Sequence, residues 1–220
     1  MGIENISEIS ENTSKIEVME DGVIIEHLTS HPELGETAQE QGELFGNPER
    51  DAEVWTGSEN IALSGLMCQK YAAEQLLEKT FAEQDIIAAA EKNGWYGEER
   101  GMVFSDAGKL LEQMGLTAEY EHGLTLKELC EMLYNGEKII CPVSSMLLRY
   151  PELSGFPGVS ADLMVEVIGV DLSGEEQRII INDPIAEKGG TEHMFKDFLE
   201  AWKAGSCSAV SVGTGGSHGF

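Results

Sequence analysis

A long, mostly apolar segment at residues 55–77 dominates the hydrophobic pattern of this chain. The segment, WTGSENIALSGLMCQKYAAEQLL, starts with a short polar approach and continues with few charges. Its apolar residues fall on more than one face of a helix, which predicts a central helix that is buried nearly all round. These residues are Ala62, Leu63, Leu66, Met67, Ala73, Leu76 and Leu77. The other elements are expected to pack around this helix.

Shorter helical patterns follow the central helix. Thr80 and Glu83 have the spacing of a capping box and predict a second helix. Apolar residues at helical spacing predict a third helix over residues 105–114. A second capping-box pair opens a fourth helix over residues 125–136, and a last helix is predicted over residues 193–203.

The apolar pattern changes to that of strands in the second half of the chain. Compact or alternating apolar runs predict strands at residues 138–143, 162–171, 178–181 and 209–212. Residues 144–160 contain two prolines and several serines and predict a loop. Helices first and strands second predict an α+β fold, with a helical N-terminal half packed on an antiparallel β-sheet C-terminal half.

The polar segments divide the chain. We predict a flexible N-terminal tail (1–14), a hairpin with an acidic surface connection (15–54), one main domain (55–212) and a flexible C-terminal tail (213–220). Asp21-Gly22 lies between two short alternating runs and is a strong signal for the two-residue turn of a hairpin. The connection is rich in Glu, Gly and Pro and has little apolar content.

The charge of the chain narrows the range of partners. Forty acidic and 14 basic residues give a formal net charge of −26. Such a surface repels phosphate backbones and anionic lipid, so neither nucleic acid nor a membrane surface is expected as a partner. A basic peptide or protein remains open, and high solubility is the simplest reading of the charge. The oligomeric state is not predicted.

The cysteines and the N-terminus favour a cytoplasmic protein without a cofactor. The four cysteines are Cys68, Cys130, Cys141 and Cys207, and no pair has C-x-x-C spacing. They are expected to be reduced core thiols rather than zinc ligands. No Asp-rich calcium loop is present, and the Gly-rich GWYGEERG lacks the lysine of a phosphate loop. We therefore predict no metal and no cofactor, and the polar N-terminus predicts no signal peptide.

Several local sequences, in order, resemble one known family. They are GNPERDAEVW, the helix that contains Gln69, EKNGWY, DAGKLLEQMGL, TLKEL, KIICPV, INDP and FLEAW. Together they span about residues 46–212 and resemble the papain-like family of bacteriocin-processing (double-glycine leader) cysteine peptidases, in its soluble stand-alone branch. The resemblance implies a papain-like fold, a peptide-binding cleft and a bacterial source.

The resemblance also assigns four positions of the catalytic site. In that family the central helix begins with the nucleophilic cysteine, and a glutamine follows five positions later. Counting back from Gln69 places Ser64 at the cysteine position. The oxyanion-hole glutamine, about six residues earlier, corresponds to Ser58. The histidine corresponds to Leu163, and the orienting aspartate corresponds to Asp183.

These substitutions predict a pseudo-peptidase. A thiolate nucleophile needs a base that a third group orients, and a leucine cannot accept a proton. A serine without an adjacent base is a poor nucleophile. The first hypothesis is therefore a catalytically inactive protein that binds a peptide or protein partner through the retained cleft.

Two other hypotheses stay open at this point. In the second, the chain is an active thiol hydrolase that uses Cys68 with a displaced histidine, His193, and Asp183. Against this, Cys68 lies one turn inside the helix, where burial is expected to raise the pKa of a thiol. The third hypothesis is a non-enzymatic acidic interaction protein, in which Leu163 and Met164 fill the former cleft.

Overall fold

A computed structural model describes residues 16–18, 24–26, 44–58 and 60–215. The chain divides into two units, Met1–Gly42 and Glu43–Phe220. In the first unit, strand β1 (Ile16–Val18) pairs antiparallel with strand β2 (Ile24–Glu26). This antiparallel pairing confirms the predicted hairpin, and the predicted Asp21-Gly22 turn lies outside the described residues. The predicted tail over residues 1–14 and most of the predicted connection lie outside the described residues.

A seven-stranded antiparallel sheet forms the base of the second unit. Its strands are β3 (Leu44–Gly46), β6 (Thr117–Glu121), β7 (Lys138–Val143), β8 (Leu163–Asp171), β9 (Arg178–Asn182), β10 (Thr191–Met194) and β11 (Ala209–Gly213). The order across the sheet is β10-β9-β8-β7-β11-β6, and β3 pairs with residues 169–171 of β8. Residues 163–170 of β8 are all buried, so both faces of this strand are covered.

The helices of this unit are α1 (Pro48–Glu53), α2 (Ser64–Leu77), α3 (Glu83–Lys92), α4 (Lys109–Gln113), α5 (Leu126–Tyr134), α6 (Ser145–Arg149) and α7 (Phe195–Lys203). A short hairpin of β4 (Tyr96–Gly97) and β5 (Gly101–Met102) completes the unit. The arrangement confirms the predicted α+β class. Within the described residues, no helix has the length and hydrophobicity that crossing a bilayer requires.

Helix α2 is the buried centre of the unit, as predicted. Leu66, Cys68, Ala72 and Ala73 are fully buried, and the helix packs on β7, β8 and α3. A 3-10 helix over Ile61–Leu63 leads into it. Burial on several faces explains why the apolar positions of this helix do not form one stripe.

Residues 44–53 were predicted to be part of a surface connection. They instead form strand β3 and helix α1, which contact the sheet. Strand β3 pairs with β8, and helix α1 contacts β8 and β9. Asp51 of α1 is buried, and Trp55 packs on Tyr71 of α2 with ring centroids 4.4 Å apart. The core-bearing part of the chain therefore begins before residue 55. The sequence did not predict this role of residues 44–53, because the segment is acidic and only Phe45 in it supplies a large buried apolar side chain. At the other end, β11 extends to Gly213.

Only one of the two predicted capping boxes forms. At the start of α5, the Thr125 and Glu128 side chains bond to each other's backbone amides. Helix α3 instead begins at Glu83 itself, after Ala82, and has no side-chain cap. The predicted N-cap, Thr80, is therefore two residues before the observed one. The Glu74 carboxylate instead accepts the amide of Phe81, just before the helix, at 2.8 Å.

The predicted helix over residues 105–114 is broken into a 3-10 helix (Phe104–Asp106) and the short α4. The break lies at Gly108, whose amide donates to the Tyr120 hydroxyl at 2.9 Å. A Cβ on Gly108 would lie 2.6 Å from the Ala118 side chain. Close packing on β6 therefore interrupts the helix. The sequence pattern did not predict β6, because this strand is largely exposed and polar.

Two smaller predictions also change. The predicted loop at residues 144–160 contains helix α6, which Ser144 caps by accepting the amide of Leu147. His193, predicted at the start of the last helix, lies in β10 opposite Ile179. Helix α7 begins two residues later because residues 191–194 are taken up by the sheet edge.

Candidate functional site

Ser64 occupies the first position of α2. Asn60 caps the preceding 3-10 helix by accepting the amide of Ala62 at 3.0 Å, and this turn directs the chain into α2. The Ser64 hydroxyl is buried and accepts the backbone amide of Met164 at 3.2 Å. Its oxygen is therefore used in tying the head of the helix to β8, the strand that Leu163 opens.

Leu163 contributes no polar atom at the helix head. It is buried, begins β8 and pairs with Val143 of β7. The structure thus brings Ser64 and the start of β8 together. An aliphatic side chain there cannot act as a general base.

Two methionine side chains pack against the first turn of α2. A Cβ on Gly65 would lie 2.8 Å from the Met164 sulfur and 3.2 Å from the Met102 sulfur. The Gln69 amide donates to the Met102 sulfur at 3.0 Å, and its oxygen accepts the amide of Leu110 at 3.2 Å. These contacts fill the space beside the helix head with apolar atoms.

Asp183 follows β9 and is held in its own turn. One carboxylate oxygen accepts the amide of Ile185 at 2.9 Å, which is the hydrogen bond of an Asx turn. The other lies 3.7 Å from the Arg149 guanidinium of α6. An arginine thus lies against the carboxylate that the family resemblance assigns to a histidine partner.

Ser58 lies against the Asp183 turn. Its amide donates to the carbonyl oxygen of Pro184 at 2.6 Å, and its hydroxyl accepts the amide of Asn60 at 3.3 Å. A Cβ on the preceding Gly57 would lie 1.9 Å from the carbonyl oxygen of Ala186. Ser64 therefore contacts the start of β8 through Met164, and Ser58 contacts the Asp183 turn through Pro184.

Cys68 is a core thiol in the second turn of α2. It is fully buried, and its sulfur donates to the carbonyl oxygen of Met164 at 3.4 Å. Burial raises the pKa of the Cys68 thiol well above its ordinary value, and the charges of Glu166 and Asp183 raise this pKa further. The thiolate is therefore strongly disfavoured at neutral pH.

We expect Cys68 to react slowly with alkylating reagents. Iodoacetamide at pH 7.5 should modify half-buried Cys207 first, while Cys68, Cys130 and Cys141 react only as the protein unfolds. Peptide mapping after timed quenching measures this order, and labelling in urea is the control. Alkylation of Cys68 before Cys207 would instead identify an accessible, activated thiol.

His193 is not joined to Cys68. Among the described residues, no hydrogen bond connects Cys68 to any histidine, and the Nε2 atom of His193 is buried without a partner. Burial lowers the pKa of His193, although the charge of Asp183 acts in the opposite direction. His193 and Asp183 therefore interact electrostatically. Within the described residues, no hydrogen bond joins either of them to the Cys68 thiol.

A buried polar cluster lies further along α2 and β8. Glu166 is fully buried and accepts the side-chain amides of Asn182 at 2.9 Å and Gln75 at 3.2 Å. Asp51 of α1 forms an ion pair with Lys138 of β7. This cluster was not predicted; its one sequence signal is a glutamate inside the apolar run DLMVEVIGVD.

No metal centre is found in the part of the chain that the structure describes, where no three His, Cys, Asp or Glu side chains are grouped to hold an ion. Two surface cavities, of about 200 and 570 Å³, lie elsewhere. Neither is lined by any of the four family-equivalent residues.

Comparison with known proteins connects this architecture to peptidases. No family model and no curated protein matches the chain. Among solved structures, digestive procathepsin L 3 of Tenebrio molitor is similar with a TM-score of 0.54 and 10% identity, over 77% of this chain and 68% of that one. A C39-like peptidase from Bacillus anthracis has a TM-score of 0.47 and 16% identity, over 74% and 92%. The peptidase domain of Streptococcus ComA, a bifunctional ABC transporter in quorum sensing, has a TM-score of 0.48 and 12% identity, over 71% and 95%.

The comparison confirms the predicted fold class. The chain has a papain-like cysteine peptidase fold, with α2 as its central helix and the antiparallel sheet beside it. At this level of identity, the similarity extends to the fold and not to a reaction.

Proposed function

We propose that this chain is a catalytically inactive member of the peptidase-like group and binds a peptide or protein partner through the region around the head of α2. The proposal places it among the bacteriocin-processing peptidase-like proteins and in the cytoplasm. Free thiols at all four cysteines are consistent with a reducing compartment.

The contact of Ser64 with Met164 carries the proposal. The Ser64 oxygen accepts a backbone amide, and the described residues provide no histidine or carboxylate within hydrogen-bonding distance of it. A serine that has no base keeps its proton and does not attack a carbonyl carbon. Leu163 supports the same conclusion, because its aliphatic side chain occupies the position that the resemblance assigns to the base.

The charge of the chain suggests the chemistry of the partner. At −26, the protein attracts cationic segments and repels acidic ones over distances of about 8 Å at physiological ionic strength. A basic, extended peptide therefore fits the proposal better than an acidic one. The resemblance adds that the family's cleft accepts extended, glycine-rich leader segments.

The test combines turnover with binding. We expect a panel of fluorogenic peptides, including basic and Gly-Gly sequences, to show hydrolysis at least about a thousandfold below that of an intact papain-type peptidase. The same peptides, labelled with a dye and titrated in anisotropy measurements, should bind without being cleaved. An acidic peptide of equal length is the control.

Two outcomes would contradict this function. Turnover that Cys68→Ser abolishes would establish the alternative thiol hydrolase that uses Cys68, His193 and Asp183. If no peptide binds and the acidic surface alone captures basic proteins, the chain is a non-enzymatic acidic interaction protein. Loss of all binding in 0.5 M salt would indicate this second case.

A further inference from the structure

The buried cluster around Glu166 joins four elements of the fold. The side-chain amides of Asn182 and Gln75 each donate to one oxygen of Glu166, Oε2, and each also donates to the carbonyl oxygen of Asp51, at 3.0 and 3.5 Å. The Asn182 oxygen accepts the amide of Gly190 at 3.1 Å. Helices α1 and α2 are thereby fixed to β8 and β9.

The cluster has more acceptors than donors. Asp51 Oδ1, Gln75 Oε1 and Glu166 Oε1 are all buried and have no hydrogen-bond partner. An amide group has two hydrogens, so the two donations made by each of Asn182 and Gln75 use all four. Unpartnered buried oxygens are costly and rare in folded proteins. The Lys138 ammonium donates to Asp51 Oδ2, and no donor among the described residues reaches these three oxygens.

The cluster also has more potential negative charges than positive charges. Asp51 and Glu166 would carry two negative charges if both were ionised, and Lys138 supplies one positive charge. A proton on one carboxyl neutralises the cluster and also supplies the missing hydrogen. Asp51 already pairs with Lys138 through its Oδ2 atom, so Glu166 is the carboxyl without a cationic partner.

We propose that Glu166 is a buried proton-binding site: in weakly acidic solution it is a neutral acid that donates from Oε1 to an oxygen of Asp51 or Gln75, and the contribution of this proton to the packing of α1 and α2 on the sheet is lost as the pH rises to neutrality.

The groups that surround Glu166 agree with this assignment. Helix α1 contributes Asp51, which opposes a second negative charge, and β7 contributes Lys138, which favours one. From α2 comes Cys68, a neutral thiol, while Asn182 of β9 is uncharged. Helix α5 packs on β8 with apolar residues and Cys130, whose pKa burial raises to about 12.

The direction of the pH effect follows from the same surroundings. Burial raises the pKa of Glu166 to about 7 from an ordinary value of 4.5. Below pH 4.5 the folded and unfolded chains both hold the proton, and the stabilisation is complete. Between pH 4.5 and 7 only the folded chain holds it, so this stabilisation is lost as the pH rises, by up to about tenfold in the unfolding constant per pH unit.

The experiment compares the full-length protein with its Glu166→Gln variant. Glutamine keeps one acceptor and adds one donor, as the neutral acid does, and does not titrate. The ratio of the wild-type to the variant unfolding constant, from urea titrations, should increase on the order of a hundredfold between pH 5 and pH 8. Glu187→Gln, which makes the same change in an exposed loop, should leave the ratio flat.

A second measurement needs no variant. In wild-type protein with ¹³C-labelled glutamate, one carboxyl carbon should titrate near pH 7, well above the ordinary value for a glutamate. The proposal is overturned if every glutamate titrates below pH 6. It is also overturned if exchanging choline for Na⁺ or K⁺ at constant ionic strength stabilises the wild type selectively, because a metal cation would then occupy the cluster.

Discussion

The triple variant Ser58→Gln/Ser64→Cys/Leu163→His is expected to hydrolyse peptides at least about a hundredfold faster than the wild type. A cysteine at the head of α2 gains the lowered thiol pKa of a helix N-terminus, and a histidine at the start of β8 provides a general base. The Ser64 oxygen already lies 3.2 Å from the Met164 amide, so the head of α2 contacts the start of β8. Fluorogenic turnover at pH 6–8 measures the gain.

The matched control is Ser58→Gln/Ser64→Cys/Leu163→Asn, which has a polar side chain of similar size but no base. Circular dichroism and urea unfolding serve to check that both variants are folded. If the histidine and asparagine variants are equally inactive although folded, Leu163 does not occupy the position of the base. Iodoacetamide labelling of the thiol introduced at position 64 separates a poor nucleophile from a blocked cleft, because the Met102 and Met164 sulfurs would hinder both reactions.

The sequence correctly predicted the elements that depend on contacts between residues close together in the chain. The Thr125 cap bonds within one turn, and β1 pairs with the next strand along the chain, β2. The break at Gly108 and the strand β6 depend on each other across the fold, through the Tyr120 hydroxyl. A window of one or two helical turns around residue 108 does not reach Tyr120. The apolar spacing of residues 105–114 therefore predicted one continuous helix.

The candidate site also combines features that depend on the local sequence with features that depend on distant segments. Its backbone positions could be counted from Gln69 and from the strand patterns, because the order of elements defines them. The side chains that fill it come from distant segments: Met102 reaches α2 from β5, and Arg149 reaches Asp183 from α6. Likewise, Asp51 and Glu166 are far apart in the sequence, and their shared amide donors appear only in the folded chain. In so acidic a sequence, the sequence alone does not distinguish a buried carboxyl group from the many carboxyl groups at the surface.

Replacing Lys138 by methionine is expected to lower the free energy of unfolding by about 3–5 kcal/mol at pH 7. Both partners of the Lys138–Asp51 pair are largely buried, with side-chain exposures of 14% and 3%. Without the ammonium group, Asp51 keeps a buried charge beside Glu166. Lys196→Met, on the exposed side of α7, should change stability by less than about 0.5 kcal/mol in the same urea titration.

The double variant Asp51→Asn/Lys138→Met tests the cause of this loss. It removes both charges, so most of the stability should return, as in other buried pairs that are replaced together. A loss below about 1 kcal/mol in the single variant would mean that water screens the pair, as at a protein surface. Because the Asp51 charge also opposes ionisation of Glu166, Asp51→Asn alone should lower the pH at which Glu166 titrates. The ion pair and the proton on Glu166 are thus two parts of one charge balance beneath α1 and α2.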